Sequence, residues 1–297
     1  MANICYTRAV IQNFLSMTHT INGRHIAKQI FANAEARTLA LKKRGRTPKL
    51  AVVLVGEDPA SKLYVGKKGS YAKKIGMEFE LHEFPHTISQ EELEAAIHTI
   101  QAKGDISGLI VQLPVPENFY PTVLNAVDPR YDVDCLTHDN LGKLVMKTHT
   151  IVPPTPGAVM AILDSLHVSL KGKTVALVGA GVLVGKPLSI MMMNAEATVI
   201  TCNIHTKNIK QYTNHADIIV TGVGKKHVLT ADMVGNGQII IDAGVDFENN
   251  LMFGDVEFDT VSKKAAHITP TPGGVGPLTV AQLLLNTAIC AEELMQA

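Results

Sequence analysis

The stretch T-V-A-L-V-G-A-G-V-L-V-G, residues 174–185, decides the fold. Five β-prone residues, Thr174 to Val178, run without interruption into Gly179-Ala180-Gly181, and Val184 to Met193 then reads as a helix. Glycines at a strand-to-helix turn let the backbone bend sharply and approach a pyrophosphate at the helix N-terminus. The third glycine of the usual G-x-G-x-x-G is replaced by Val184, with Gly185 one place later, and such turns also occur without a nucleotide. Context favours the nucleotide. Ala197 to Cys202, Asp217 to Thr221 and Gln238 to Asp242 read as further strands, so four βα units suggest a Rossmann-like, doubly wound dinucleotide-binding domain.

Upstream, the pattern is again α/β. Gly23 to Lys43 carries apolar residues at helical spacing and stops at Gly45; Lys49 to Val55 is a buried strand closed by Gly56. Asp58 caps and Pro59 opens a helix to about Ile75, Phe79 to Phe84 is a strand, Ser89 and Glu92 form a capping box, and Gly108 to Leu113 is another buried strand. Alternation of this kind predicts a parallel sheet. The three prolines between Thr148 and Gly157 mark the crossing between domains, with a helix from Pro156 to Leu166 beyond it. Near the end, Pro270 to Pro277 reads as a loop and Leu278 to Met295 as a helix.

The chain has 297 residues, enough for two cores, and 46% of them are apolar. Lys plus Arg and Asp plus Glu number 27 each, so no net field draws in nucleic acid or an anionic membrane. No apolar run approaches the ~20 residues of a membrane span. Four dispersed cysteines, Cys5, Cys135, Cys202 and Cys290, suggest neither a zinc site nor a disulfide framework, which fits a reducing, cytoplasmic setting. Residues 1–16 lack a secretory signal and read as an extension or an upstream start, with targeting as the alternative.

Candidate chemistry clusters in the first half. Tyr64 and Lys68 lie four apart on one helix, so they share a face. A partly desolvated lysine loses affinity for its proton and can manage protons near neutral pH; equally, Lys67, Lys68, Lys73 and Lys74 read as a solvated basic surface. Gln112 ends a buried strand where ligands dock, or else ties down a loop. Asp132 and Asp134, two apart, point to one face if the backbone is extended; the pair suits a metal, for which no further ligand spacing exists, or one carboxylate suits the N–H-rich edge of a ring. After Cys202 no acid stands where an NAD ribose partner is expected, and His205 and Lys207 tilt the turn toward a 2′-phosphate, hence NADP.

Six motifs in order carry a resemblance: V-G-E-D-P-A-S-x-x-Y-V-x-x-K (Val55 to Lys68), G-L-I-V-Q-L-P-V-P (Gly108 to Pro116), D-V-D (Asp132 to Asp134), P-x-T-P (Pro153 to Pro156), G-x-G-x-x-V-G-x-P (Gly179 to Pro187) and I-T-P-x-P-G-G-V-G-P-x-T (Ile268 to Thr279). From Met17 onward the chain resembles the bifunctional methylenetetrahydrofolate dehydrogenase/methenyltetrahydrofolate cyclohydrolase family. The resemblance implies oxidation of 5,10-methylenetetrahydrofolate with NADP, NAD being the lesser alternative, and hydrolysis of the product to 10-formyltetrahydrofolate. It implies catalytic roles for Lys68, Tyr64, Gln112 and Asp134, and a folate site completed by Leu113, Gly273, Gly274, Gly276 and Pro277. For the cofactor it implies Thr155, then Gly179, Ala180, Gly181, Val182, Val184 and Gly185. His205 and Thr206, Gly222 and Val223, and Gly244 and Val245 would complete that site.

Departures from the family pattern are Gly181 for serine, Pro154 and Ala158 for cysteine and glycine, Cys135 after D-V-D, and Ile204 where a polar or basic residue is common. The resemblance further implies a homodimer and no metal. The expected organisation is a folate-binding catalytic domain of residues 17–152 plus 279–297 and an NADP-binding domain of residues 153–278.

Overall fold

The computed structural model describes residues 18–248 and 251–296; the extension at residues 1–16 lies outside them. In chain order the elements are β1 (His19–Thr20), α1 (Gly23–Lys43), β2 (Lys49–Val55), α2 (Pro59–Lys74), β3 (Glu78–Phe84), α3 (Gln90–Ala102) and β4 (Gly108–Gln112). They continue with α4 (Thr122–Asn125), α5 (His138–Val145), α6 (Pro154–Ser165), β5 (Thr174–Val178), α7 (Gly185–Asn194), β6 (Thr198–Cys202), α8 (Lys210–Thr213), β7 (Ile218–Thr221) and β8 (Ile239–Asp242). The last are β9 (Asp246–Glu248), β10 (Leu251–Phe253), α9 (Phe258–Val261), β11 (His267–Ile268) and α10 (Val275–Glu293).

The first unit is built on a three-stranded parallel sheet in the order β3-β2-β4. Strand alternation sends Leu50, Val52 and Leu54 into the core on one face and Ala51, Val53 and Val55 into the core on the other. The second unit has a six-stranded sheet, β6-β5-β7-β8-β11-β1, whose neighbouring strands all pair in parallel. Here too both faces are covered: Val175 and Leu177 enter one core, Ala176 and Val178 the other. Strand order reverses between β5 and β7, which opens a crevice beyond their C-terminal ends.

Two differences from the sequence pattern concern the boundary between units. β1 joins the edge of the second sheet, and Ile21 packs in that sheet's core, although the pattern assigns residue 17 onward to the first domain. α10 also serves both units: Val275, Leu278 and Ala281 pack in the second core, Leu283, Leu284 and Ala288 in the first. With α1, whose Ala27 and Ala34 divide in the same way, it forms a two-helix spine across both. A long amphipathic helix has enough length to bury successive turns against different sheets, and no residue pattern marks the handover. α10 is long and apolar enough to cross a membrane by length and composition, yet two-thirds of it is buried in these cores.

Prolines account for two smaller shifts. α6 starts at Pro154, not Pro156, and α10 starts at Val275, so Gly276 and Pro277 lie in a first helical turn, not in a loop. A proline in that turn forfeits only an N–H that has no intrahelical partner.

Candidate active site

Lys68 is placed by the packing of α2. Val65, Gly69 and Ala72 form the buried stripe, and a Cβ on Gly69 would come 2.8 Å from the Phe79 ring, so the helix lies tight on β3. Asp58 accepts a hydrogen bond from the Ser61 N–H (2.8 Å) and fixes where the helix begins. Lys67, Lys73 and Lys74 are exposed. Lys68 alone of that basic run turns inward, where its Nζ donates to Gln112 Oε1 at 2.9 Å. Gln112 Nε2 donates to the Leu113 carbonyl (2.8 Å), which settles the amide so that its oxygen faces the lysine.

Burial pushes the Lys68 ammonium below its usual range, and the Asp134 charge opposes that shift in part. Burial raises the Asp134 carboxyl to about 6; Lys68 pulls it down and Asp132 pushes it up. Both keep some exposed surface, as groups facing a cleft must. The two aspartates of D-V-D do not share a face, because the backbone turns there. Asp132, 3% exposed, accepts from the N–H groups of Leu136 and Thr137, from the Thr137 hydroxyl and from Asn140 Nδ2. Asp132 thus holds the loop, which leaves Asp134 as the carboxylate opposite Lys68. Among the described residues no group of three His, Cys, Asp or Glu could hold a metal.

Tyr64 is half-buried one turn before Lys68, and burial raises its phenol above the ordinary range. Its ring meets Phe247 of β9 edge-on, centroids 6.3 Å apart at 78°. Phe247 comes from a distant hairpin and carries no local signal, so the sequence alone does not point to it. The contact joins the Lys68 group to the second unit just beyond Gly244-Val245. Gly273 and Gly274 lie against the start of α1, where a Cβ on Gly23 would stand 1.8 Å from the Gly274 carbonyl oxygen. Thr155, on the first turn of α6, has its hydroxyl 3.3 Å from that of Thr279 in α10.

The nucleotide crevice is set by close backbone approaches. A Cβ on Gly179, whose φ is +118°, would lie 2.5 Å from the Gly222 carbonyl oxygen, and one on Gly185 would lie 2.0 Å from that of Gly179. A Cβ on Gly181 meets nothing within 4 Å, so the close packing within the protein falls to Gly179 and Gly185, and space stays open beside Gly181. The open space beside Gly181 lies at the N-terminus of α7, whose N-cap Val184 provides no side-chain hydrogen bond. The Lys186 N–H is taken by the Gly181 carbonyl (3.0 Å) and Pro187 has none, so the Gly185 N–H is the one in the first turn of the helix that faces this space for an anion. These residues fit a dinucleotide. Val223 packs toward Gly179, and Gly224 approaches the Val245 carbonyl, so the loops after β7 and β8 meet at the crevice. After β6, the Asn203 N–H donates to Thr206 Oγ1 (2.8 Å) and the His205 N–H to Asn203 Oδ1 (2.9 Å).

A doubly wound dinucleotide-binding unit facing a lysine–glutamine–aspartate cleft defines a two-domain α/β enzyme that uses a nicotinamide cofactor. The chain belongs to the tetrahydrofolate dehydrogenase/cyclohydrolase family: the family's catalytic domain matches residues 21–134 and its NAD(P)-binding domain residues 153–295. It is 45% identical over 274 residues to the bifunctional protein FolD of Nautilia profundicola, covering 92% of this chain and 96% of that one. Two crystal structures share the fold. One is the bifunctional FolD methylenetetrahydrofolate dehydrogenase/cyclohydrolase of Campylobacter jejuni, at TM-score 0.88 and 37% identity over 92% of this chain and 98% of that one. The other, the Trypanosoma brucei enzyme complexed with NADP and an inhibitor, has TM-score 0.89 and 32% identity, covering 94% and 99%.

Proposed function

We propose that this chain oxidises 5,10-methylenetetrahydrofolate to the 5,10-methenyl form and hydrolyses that cation to 10-formyltetrahydrofolate in one cleft. The observation that carries this reading is the inward Lys68, bonded to Gln112 and opposite Asp134, on the side of the cleft that Tyr64 links to the nucleotide crevice. In the first step a C–H bond of the one-carbon bridge breaks and its electron pair leaves with the hydrogen; the nicotinamide cofactor accepts that hydride. Tyr64 stacks on the folate rings, and Asp134 accepts from their N–H-rich edge. Gln112 holds Lys68 beside the bridge. In the second step water adds to the cationic carbon, a C–N bond opens to leave the formyl group, and a proton is lost. Burial lowers the proton affinity of Lys68, so it gives up its own proton more readily than a solvated lysine and can then take up the one released.

Within this reading the cofactor is NADP, supported by the absence of a carboxylate after β6 and by His205 and Lys207 in that turn. Ile204, 93% exposed, leaves the turn without a further cation at that position. A homodimer and a cytoplasmic location belong to the same reading. The deciding assay supplies methylenetetrahydrofolate with NADP or NAD separately and follows reduced cofactor, methenyl and formyl products. Absence of turnover with both would sink the proposal; faster turnover with NAD would overturn its cofactor.

Asp134 gives a pH prediction. Its carboxyl sits near 6, so the acceptor form dominates at neutral pH and is lost as pH falls through 6. Folate KM is expected to rise roughly tenfold per pH unit below that point. In Asp134→Asn the KM should be high at every pH and this slope absent; a variant that keeps the slope would show that another group titrates.

A further inference from the structure

Two buried aspartates, outside every motif in the sequence, stand behind the nucleotide crevice. Asp255 is 0% exposed and takes three successive backbone N–H groups of the loop after β7: Val223 at 2.7 Å, Gly224 at 2.9 Å and Lys225 at 2.9 Å. Asp242, at the end of β8 and 3% exposed, takes the Thr221 hydroxyl (3.0 Å) and the N–H groups of Gly244 (3.1 Å), Asp255 (3.1 Å) and Val256 (3.0 Å). One carboxylate shapes the loop beyond β7, and the other anchors the first to the end of β8. A Cβ on Gly244 would land 2.0 Å from the Asp255 carboxyl carbon, so that carboxyl is wedged between both walls of the crevice. Burial raises both groups, Asp242 to about 6, while the N–H groups around each favour the ionised form. Paired buried carboxylates are a costly arrangement for simple loop closure, and these two end at the Gly222-Val223 and Gly244-Val245 segments.

We propose that Asp255 is a positioning residue for cofactor binding: by capturing three loop N–H groups it fixes Gly222 and Val223 against the Gly179 turn, with Asp242 as its anchor. The inference rests on the dehydrogenase reading above. In Asp255→Asn the amide oxygen can replace Oδ1, which serves Gly224 and Lys225, but the NH2 group then faces the Val223 N–H, donor against donor. The cost of that mismatch corresponds to about a ten- to hundredfold change in an equilibrium constant.

The test measures, in the full chain, NADPH affinity by fluorescence titration, NADP KM in the dehydrogenase assay, and hydrolysis of supplied methenyltetrahydrofolate, a step that consumes no cofactor. Asp255→Asn should weaken NADPH and NADP by about ten- to a hundredfold while hydrolysis changes less than about twofold. Unchanged cofactor affinity overturns the proposal, and so does an equal loss of both activities, which marks a role in the overall fold. Should Asp255→Asn not fold, Gly254→Ala presses on the Asp242 anchor instead, its Cβ landing 1.9 Å from Asp242 Oδ2. In that variant, weakened cofactor binding with hydrolysis intact supports the proposal, and unchanged affinity or an equal loss of both activities overturns it. An unmodified chain that turns over no folate defeats the dehydrogenase reading, whereas the NADPH titration still decides the role of Asp255.

Discussion

Lys68→Gln is expected to reduce hydrolysis of methenyltetrahydrofolate by at least about a hundredfold, the range removed when a positioned proton-transfer group is lost. Glutamine approximates the length of the lysine stem, so the substitution removes the titratable amine more than it removes packing. It also relieves Asp134 of its neighbouring positive charge, which at present holds that carboxyl down, so the acid shoulder of folate binding should move to higher pH. NADPH affinity, governed by the second unit, serves as the internal control. Hydrolysis at the unmodified rate would remove Lys68 from the mechanism.

Gly185→Ala is the second large effect. The new Cβ would stand 2.0 Å from the Gly179 carbonyl oxygen and 2.8 Å from its carbon, backbone atoms that cannot rotate away. Either α7 moves off β5 or the Gly179 turn deforms, and each displaces the Gly185 N–H that faces a pyrophosphate. We expect about 1–3 kcal/mol of destabilisation and at least about a hundredfold rise in cofactor KM, the loss that follows misplacement by about 1 Å. Gly181→Ala is the contrast. Its Cβ enters open space, and thermal stability should shift by no more than about 0.5 kcal/mol. Equal melting temperatures for the two variants would refute the assignment of the tight packing to Gly185.

Much of the fold is legible because its signals are local. The run Lys49 to Val55, the Asp58-Pro59 helix start and the Ser89–Glu92 capping box each use neighbours within a few residues, and all three elements form accordingly. The starts of α6 and α10 fall two and three residues before the pattern puts them, since a proline without a capping residue at its side signals a break in the ladder without saying on which side of it the helix lies. Spacing alone makes the two carboxylates of D-V-D equivalent. Their separation into a loop clamp and a cleft group depends on Thr137 and Asn140 closing around Asp132, which is a matter of tertiary packing.

The sequence by itself determined the alternation of strands and helices, the glycine turn after β5 and the presence of an amine, an amide and a carboxylate in separate motifs. These are properties of spacing, and spacing is written along the chain. Only the tertiary structure decided which lysine of a basic run turns inward, which glycine is sterically required, that the last helix belongs to both cores, and that Asp242 and Asp255 back the crevice. Each of those depends on which distant atoms occupy the same few ångströms. Desolvation of Lys68, contact of Tyr64 with Phe247 and the clash at Gly185 arise only when separated segments are packed together.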